Sequence, residues 1–413
     1  MKKLFTLKHF LVLVMLFGCF VAQAADLITQ QVVVEMDRAG TLPDKISYAE
    51  KYKITNLKII GKVNGTDWKF LRDMAGRDFQ GYQTSGKLSS LDLSEARIVK
   101  GGEMYNINYS TSDNELSPEA FANLFNLTTL RLPSSITSIG SSAFWGCTSL
   151  TSLTIPSSVT FVGDEAFGGC YALTSLTIPF GVASIGDYAF VDCRSLTSLD
   201  IPSSVTSIGE HAFSGCQSLV SLDIPSSVTT IGESAFYGCA NLVKLFIPLS
   251  VTSIGKGAFD WCVKLQSINI PFGVASIGSR TFGVCDLRSI VIPSSVASIY
   301  DSAFSGCGNL ASVYACWETP FAISSSVFGG VDKQKCILYV PKGTSQEYKS
   351  TEGWNEFENI VEYDVAGIDR VTTSTDAKEL SRYSVNGQRL TAPAKGLNIV
   401  KYSDGSVKKV VVQ

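Results

Sequence analysis

Residues 170–192 read Cys170-Tyr-Ala-Leu173-Thr-Ser-Leu176-Thr-Ile178-Pro179-Phe-Gly-Val182-Ala-Ser-Ile185-Gly186-Asp-Tyr-Ala189-Phe190-Val-Asp192. The pattern restarts at Cys193, and it also opens at Cys147, Cys216, Cys239, Cys262, Cys285 and Cys307. An earlier copy begins at Leu124. The period is 23 residues, falling to 22 at the last step, where Cys285-Asp-Leu287 lacks one residue. A fixed period in the twenties marks a stack of one-turn units, none of which can bury its apolar residues alone.

Each unit specifies one coil. Leu173, Leu176 and Ile178 close in a period-two alternation, which fits a short strand with one buried face. Pro179 follows, as Pro133, Pro156, Pro202, Pro225, Pro248, Pro271 and Pro293 do in the other copies up to Cys285. Proline lacks an N–H, so it ends strand pairing at the same level in each of these coils. Val182 and Ile185 turn inward again. Gly186 is expected to supply a positive φ at a corner. Ala189-Phe190 sends a small and a large side chain into the far side of the core, from a turn or a short helical arc. Nine such coils, stacked at the strand spacing of about 4.8 Å, span roughly 40 Å. The fold expected is an α/β repeat: a leucine-rich-repeat solenoid with short parallel strands on its concave face, plus a small C-terminal β module.

The consensus Cys-x-x-Leu-x-x-Leu-x-Ile-Pro-x-x-Val-x-x-Ile-Gly-x-x-Ala-Phe resembles the BspA-type surface leucine-rich repeats of the Bacteroides group. It departs from the commonest leucine-rich repeat, which carries an Asn after the strand. Here that level holds Ser158, Gly181, Ser204 and Ser227. The resemblance implies an exported, surface-displayed binding or adhesion protein, but no ligand carries over with it; the partner expected is an extracellular host-matrix or cell-surface protein, with a glycan as the alternative.

Eight of the eleven cysteines form a column at the repeat period. Disulfides or metal ligation are one reading, and small buried hydrophobes are the other. The sequence favours the second, because Leu124 takes the same place in the first copy and no CxxC pair occurs. Cys316 and Cys336 lie outside the column and are the better candidates for a bridge.

Residues 1–24 read as a secretory signal. Lys2, Lys3 and Lys8 precede an apolar run, and Ala22-Gln23-Ala24 is an A-x-A cleavage site. Leu16-Phe17-Gly18-Cys19 loosely resembles a lipoprotein box. Residues 25–120 are an N-terminal cap with irregular repeats: 54–59 and 88–93 echo the strand pattern, and 68–74 has helical spacing. An expanded loop occupies 94–117, and its polar tip at 101–114, with Tyr105 and Tyr109, is either a binding loop or a mobile insertion. Repeats fill 121–317. Residues 318–363 form the C-terminal cap, with a strand at 336–341 and a helix carrying Tyr348, Trp354, Phe357 and Ile360. Residues 364–413 are a linker and a β-rich tail with an Asn386-Gly387 hairpin turn. Its Asn-Gly-Gln-Arg, Lys-Gly-x-x-Ile-Val and Lys-Lys-Val-Val elements resemble the C-terminal sorting domains of type IX secretion.

Composition narrows the function. Hydrophobic content is 45%, charged residues are 17%, and the formal net charge is −3. Losing three lysines with the signal takes the charge to −6 (−3 − 3), which does not suit nucleic acid. No stretch after the signal is long enough for a membrane span. After signal removal His211 is the one histidine, so a Ser-His-Asp or Cys-His centre has little to draw on. There is no P-loop, GxGxxG or His-based metal spacing. No enzyme, catalytic residue, cofactor or metal is expected.

Binding residues are sought on the strand face. One outward column runs Thr129, Ser152, Ser175, Ser198, Ser221, Lys244, Ser267, Ser289, Ser312. Its neighbour runs Arg131, Thr154, Thr177, Asp200, Asp223, Phe246, Asn269, Val291, Tyr314. Ser and Thr dominate, so the exceptions carry the specificity: Asp200, Asp223, Lys244, Phe246, Asn269 and Tyr314. Phe180 and Phe272 extend the face along one rim. The first reading is a surface adhesin or protein-interaction module. The alternatives are a glycan-binding accessory protein, with Phe246 and Tyr314 stacking on sugars, and a structural surface coat.

Overall fold

The computed structural model describes residues 27–363 and, beyond them, the backbone of 379–384, 389–390, 392, 396–402 and 407–412. The signal expected at 1–24, with Cys19, and the linker expected at 365–378 lie outside the described residues. Within 27–363 the chain winds through about 14 turns, each laying a strand or a bridge on one face. All these strands are parallel. The first seven join in one sheet, from Val32–Met36 through Asn56–Val63 and Ser90–Ile98 to Ser198–Asp200. Register is kept to the residue, with Ser198, Leu199 and Asp200 opposite Ser175, Leu176 and Thr177. The middle leucine of each triplet is buried and its two neighbours point out, as the period-two pattern predicts.

Proline ends the strand as expected and also starts a turn. Its carbonyl accepts the N–H three residues on: Val159 to Pro156 at 3.1 Å, Val205 to Pro202 at 3.1 Å, Val228 to Pro225 at 3.0 Å. The level that holds Asn in the commonest repeats is built here from hydroxyls. Ser204 Oγ donates to Val182 O at 2.8 Å, Ser227 Oγ to Val205 O at 2.6 Å and Ser250 Oγ to Val228 O at 2.7 Å. A short side chain thus tethers these coils to the one before, while Gly181 and Gly273 hold the same level without a hydroxyl.

The far arc is a turn in every repeat; the helices lie in the two caps. Alternate N–H groups of this arc point to the next coil. Tyr188 donates to Glu210 O at 2.7 Å, Phe190 to Ala212 O at 2.8 Å and Asp192 to Ser214 O at 2.7 Å. The chain reaches this arrangement through left-handed conformations at Tyr188 and Asp192, both at φ 56°. Gly186 is not among the positive-φ residues, contrary to expectation. It is glycine because coils touch there: an added Cβ would lie 2.6 Å from Asp164 Oδ1 and 3.2 Å from the Asp164 backbone. The left-handed position falls two residues later, on Ser142, Glu165, Tyr188, His211, Ser234, Arg280 and Ser302.

Inside the arc the phenylalanines stack face to face from Phe121 to Phe328. Successive centroids are 5.1–5.7 Å apart and the planes lie within 16°. Each buried ring contributes about 1.5–3 kcal/mol of transfer free energy. The ten cysteines from Cys147 onward are free and buried, Cys316 and Cys336 included, so the bridge considered for that pair is not formed. The column thiols also connect coils. Cys193 Sγ donates to Phe167 O and Cys216 Sγ to Phe190 O, both at 3.2 Å. Burial pushes the Cys193 and Cys239 thiols up to about 12.

Because the arc's N–H groups all point one way, the first regular coil exposes carbonyls. The N-terminal cap supplies donors for them. Trp68 Nε1 donates to Ala120 O at 3.0 Å, Arg72 Nη1 to Glu119 O at 2.9 Å and Tyr105 Oη to Pro118 O at 2.6 Å. Trp68 and Arg72 sit on the helix Gly65–Met74, started by an Asn64/Asp67 capping box. Tyr105 is fully buried, so the loop tip at 101–114 is anchored to the cap and does not present that ring. At the other end Trp354 and Phe357 cover Phe328 at 5.8 and 5.3 Å. The cap helix is only Ser345–Ser350. Ile360, expected on it, belongs to the strand Asn359–Tyr363, which adds one more parallel rung beside Ile337–Pro341. The four tail strands form an antiparallel sheet; residues 385–388, with the expected Asn386-Gly387 turn, lie outside the described residues.

Candidate functional site

The strand face is the broad surface that this stacking leaves open. Its outer side chains are small over four turns, and a hollow of about 800 Å³ lies there, lined by 152–155, 175–177, 197–201 and 221–223. Asp200 and Asp223 line it and the remaining expected residues do not. Both aspartates are exposed and follow one another on the outer column. Among the described residues neither makes an ion pair. Phe246 is the next rung, bridged to Asp223 in parallel register, and is 61% exposed. The fold therefore places two carboxylates and an open aromatic ring on three successive rungs, each step about 4.8 Å.

The other three residues are used differently. Lys244 is in the strand Lys244–Leu245, opposite Ser267. Asn269 is tied to the neighbouring coil at both ends of its amide: Ile247 N donates to Oδ1 and Nδ2 donates to Ile247 O, both at 2.8 Å. Tyr314 is half-buried, stacked on Tyr339 at 4.4 Å and met edge-on by Tyr363 at 5.8 Å. Burial pushes its hydroxyl pKa up.

Beside the hollow, a second column passed over in the sequence changes character. Thr151, Thr174 and Thr197 each donate Oγ1 to the carbonyl of the preceding threonine, at 3.4, 3.3 and 3.1 Å. The ladder stops at Val220 and Val243, which keep the shape and lose the hydroxyl, and both are exposed. With Phe246, Leu249 and Phe272 they make the rim past Asp223 apolar. The substitution of Val for Thr at a fixed repeat position was a readable signal. A further set of exposed aromatics flanks the cysteines on the turn edge, away from any strand.

His211 is a surface residue. Its ring stacks on Tyr188 at 4.8 Å, and Nε2 is 3.7 Å from Glu210 Oε1. Among the described residues no group of three or more His, Cys, Asp or Glu is placed to hold a metal ion. Nor is any helix there long and apolar enough to cross a membrane.

Fold and site together define a repeat scaffold that offers an extended face for binding. The family profile described as "BspA type leucine rich repeat region" matches six copies over residues 101–197 and 183–311, just over half of the chain. The chain belongs to this family. A solved leucine-rich repeat protein from Bacteroides ovatus is 25% identical, covering 69% of this chain and 78% of its own, with a TM-score of 0.50. A leucine-rich repeat protein of T. pallidum is 34% identical, covering 38% and 77%, with a TM-score of 0.37. A leucine-rich cell surface protein from Faecalibacterium prausnitzii is 26% identical, covering 62% and 89%, with a TM-score of 0.32. No curated protein matches the chain.

Proposed function

We propose that the chain is an exported cell-surface protein that binds or adheres to an extracellular protein through its strand face. The observation that carries this is the hollow over 152–223, with Asp200 and Asp223 at one end and Phe246 on the next rung. A solvated carboxylate pair beside an exposed ring provides both steering and a desolvated anchor. Membership of the BspA-type repeat family supports a scaffold in preference to an enzyme. A glycan on the same face has less to work with, since the Tyr314 ring is covered by Tyr339.

Export rests on the Ala22-Gln23-Ala24 cleavage site and on the tail, whose four antiparallel strands support its reading as a sorting-like β module. Deleting 364–413 is expected to hold the protein inside the envelope; undiminished surface display would count against that role. The binding test uses the mature chain against an array of extracellular-matrix and cell-surface proteins. Phe246→Ala and the Asp200→Asn/Asp223→Asn double variant are each expected to weaken a captured interaction by about tenfold. Retained affinity in both, with unchanged circular dichroism, would reject the strand face as the site.

A further inference from the structure

A second surface lies on the turn edge, where each far arc passes into the next strand. Phe125, Trp145, Tyr171, Tyr237 and Trp261 are 39, 37, 42, 40 and 48% exposed there. They flank the buried cysteine column on an edge whose other residues are mostly small, with Val191, Arg194 and Val263 among the larger ones. Trp145 and Tyr237 hold the same repeat position 92 residues apart, which is four periods of 23. They therefore stand roughly 19 Å apart along the stack.

Both ends of this edge are built. An added Cβ on Gly168 would fall 2.2 Å from Trp145 Cζ3, so the indole lies down on the glycine backbone. Tyr171 follows, with the Arg194 guanidinium 4.7 Å from its centroid. Arg194 is in turn paired to Asp192 at 3.2 Å. Four coils on, Tyr237 precedes Trp261. Trp261 adopts φ 62° at a position that the two coils before it fill with Gly215 and Gly238. A bulky residue in that conformation is strained. Beside it Asp260 is buried, with Oδ1 lacking a partner and Oδ2 3.6 Å from Arg280. An exposed indole is thus held against backbone strain, next to an unsatisfied carboxylate.

We propose that this edge is a carbohydrate-binding surface that takes a linear, uncharged polysaccharide lying along the stack. Four features select that ligand. The rings offer apolar area to pyranose faces, while Asp192, Arg194 and Arg280 supply side-chain hydrogen bonds for hydroxyls. The charges beside Tyr171 and Trp261 are paired, Arg194 with Asp192 and Arg280 with Asp260, so these two ring sites present little net field to an ionic partner. The backbone here is already used between coils: Gly146 donates to Gly168 O, Gly169 to Val191 O, Gly238 to Asp260 O and Trp261 to Gly283 O, all at 2.8–2.9 Å. An extended peptide finds no free sheet edge to join. Two ring sites four coils apart suit a polymer able to occupy both at once. The site is distinct from the strand face and stands or falls separately from it.

The test is affinity electrophoresis of the mature chain in gels cast with soluble mannan, β-glucan or galactan, and with a polyuronate as the charged control. Retardation by at least one neutral polymer is expected. A Trp145→Ala/Trp261→Gly variant is expected to lose about tenfold or more in affinity. Trp261→Gly restores the residue of the two preceding coils and relieves strain, so the fold is kept, as a urea midpoint no lower than the parent's will confirm. Phe246→Ala is expected to leave retardation unchanged. No retardation by any neutral polymer, retardation by the polyuronate alone, or full retardation of the double variant would each overturn the proposal.

Discussion

Gly232→Ala tests why a glycine stands at this level in the seven coils from Gly140 to Gly278, before Tyr300 takes the place in the next. A Cβ there would lie 2.5 Å from Gly209 C and 2.6 Å from both Glu210 N and Gly209 O. All three atoms are backbone, so no side chain can swing aside. Reaching an ordinary contact of 3.4 Å requires the coils to part by 0.9 Å (3.4 − 2.5). Two bonds bracket the site, Gly232 N to Ile208 O and His211 N to Glu233 O, each 2.8 Å. Opening by 0.9 Å takes them to about 3.7 Å, outside hydrogen-bonding range. Losing both, with partly buried partners left behind, costs about 2–4 kcal/mol. The stiffer unfolded chain offsets about 0.4–1 kcal/mol. The net expectation is a loss of about 1–3.6 kcal/mol, read from the urea midpoint at unchanged m-value. Gly238 is the control. It has φ 67°, and the nearest atom to its Cβ is 4.0 Å away. Asn123 takes that position in the first copy, at φ 61°, so Gly238→Asn is expected to stay within about 0.5 kcal/mol. Parent-like stability of Gly232→Ala, or an equal loss in Gly238→Asn, would refute the close-approach argument.

Two further outcomes concern titration. Burial raises the column thiols, Cys147, Cys193 and Cys239 to about 12 and Cys307 to about 11. The unfolded chain then sheds thiol protons first, so stability is full below the unfolded thiol pKa and falls as pH climbs from about 8.5 toward the folded values, by up to about 1.4 kcal/mol per pH unit for each ionised thiol. Urea midpoints between pH 8 and 10 measure this, and a flat profile, or fast thiol labelling of the native chain, would contradict it. Asp260 is also raised by burial. Its contribution is present below the unfolded carboxyl pKa and is lost as pH rises through the folded one. Asp260→Asn is therefore expected to gain in Tm relative to the parent at pH 7 compared with pH 3.5, and a larger relative gain at pH 3.5 would reverse the assignment.

The repeat was legible because its period fixes which side chains can meet. Leu176, Ile178, Val182, Ile185, Ala189 and Phe190 are all buried where the pattern puts them. The cysteine column was also correctly read as apolar filler, and the reason for Leu124 emerges from the fold: the thiols donate to the Phe carbonyl of the preceding regular coil, and the first copy has none before it. The site was half legible. Asp200, Asp223 and Phe246 sit together because column register follows directly from the period. Asn269 reads as a polar exception in the same column, but its amide is spent on the Ile247 backbone. Nothing local to residue 269 distinguishes these two uses.

By itself the sequence determined a stack of identical coils: the period, the inward residues, the strand level and the point where proline ends it. Those features are local or repeat at a fixed interval, so they need no knowledge of distant contacts. Tertiary structure decided the rest. Left-handed backbone at Tyr188 and His211 is forced by aiming alternate N–H groups at the next coil, which no propensity records. Burial of Tyr105 follows from carbonyls that only a directional stack leaves open, and the exposed ring edge from Trp145 to Trp261 is visible only once the coils lie side by side.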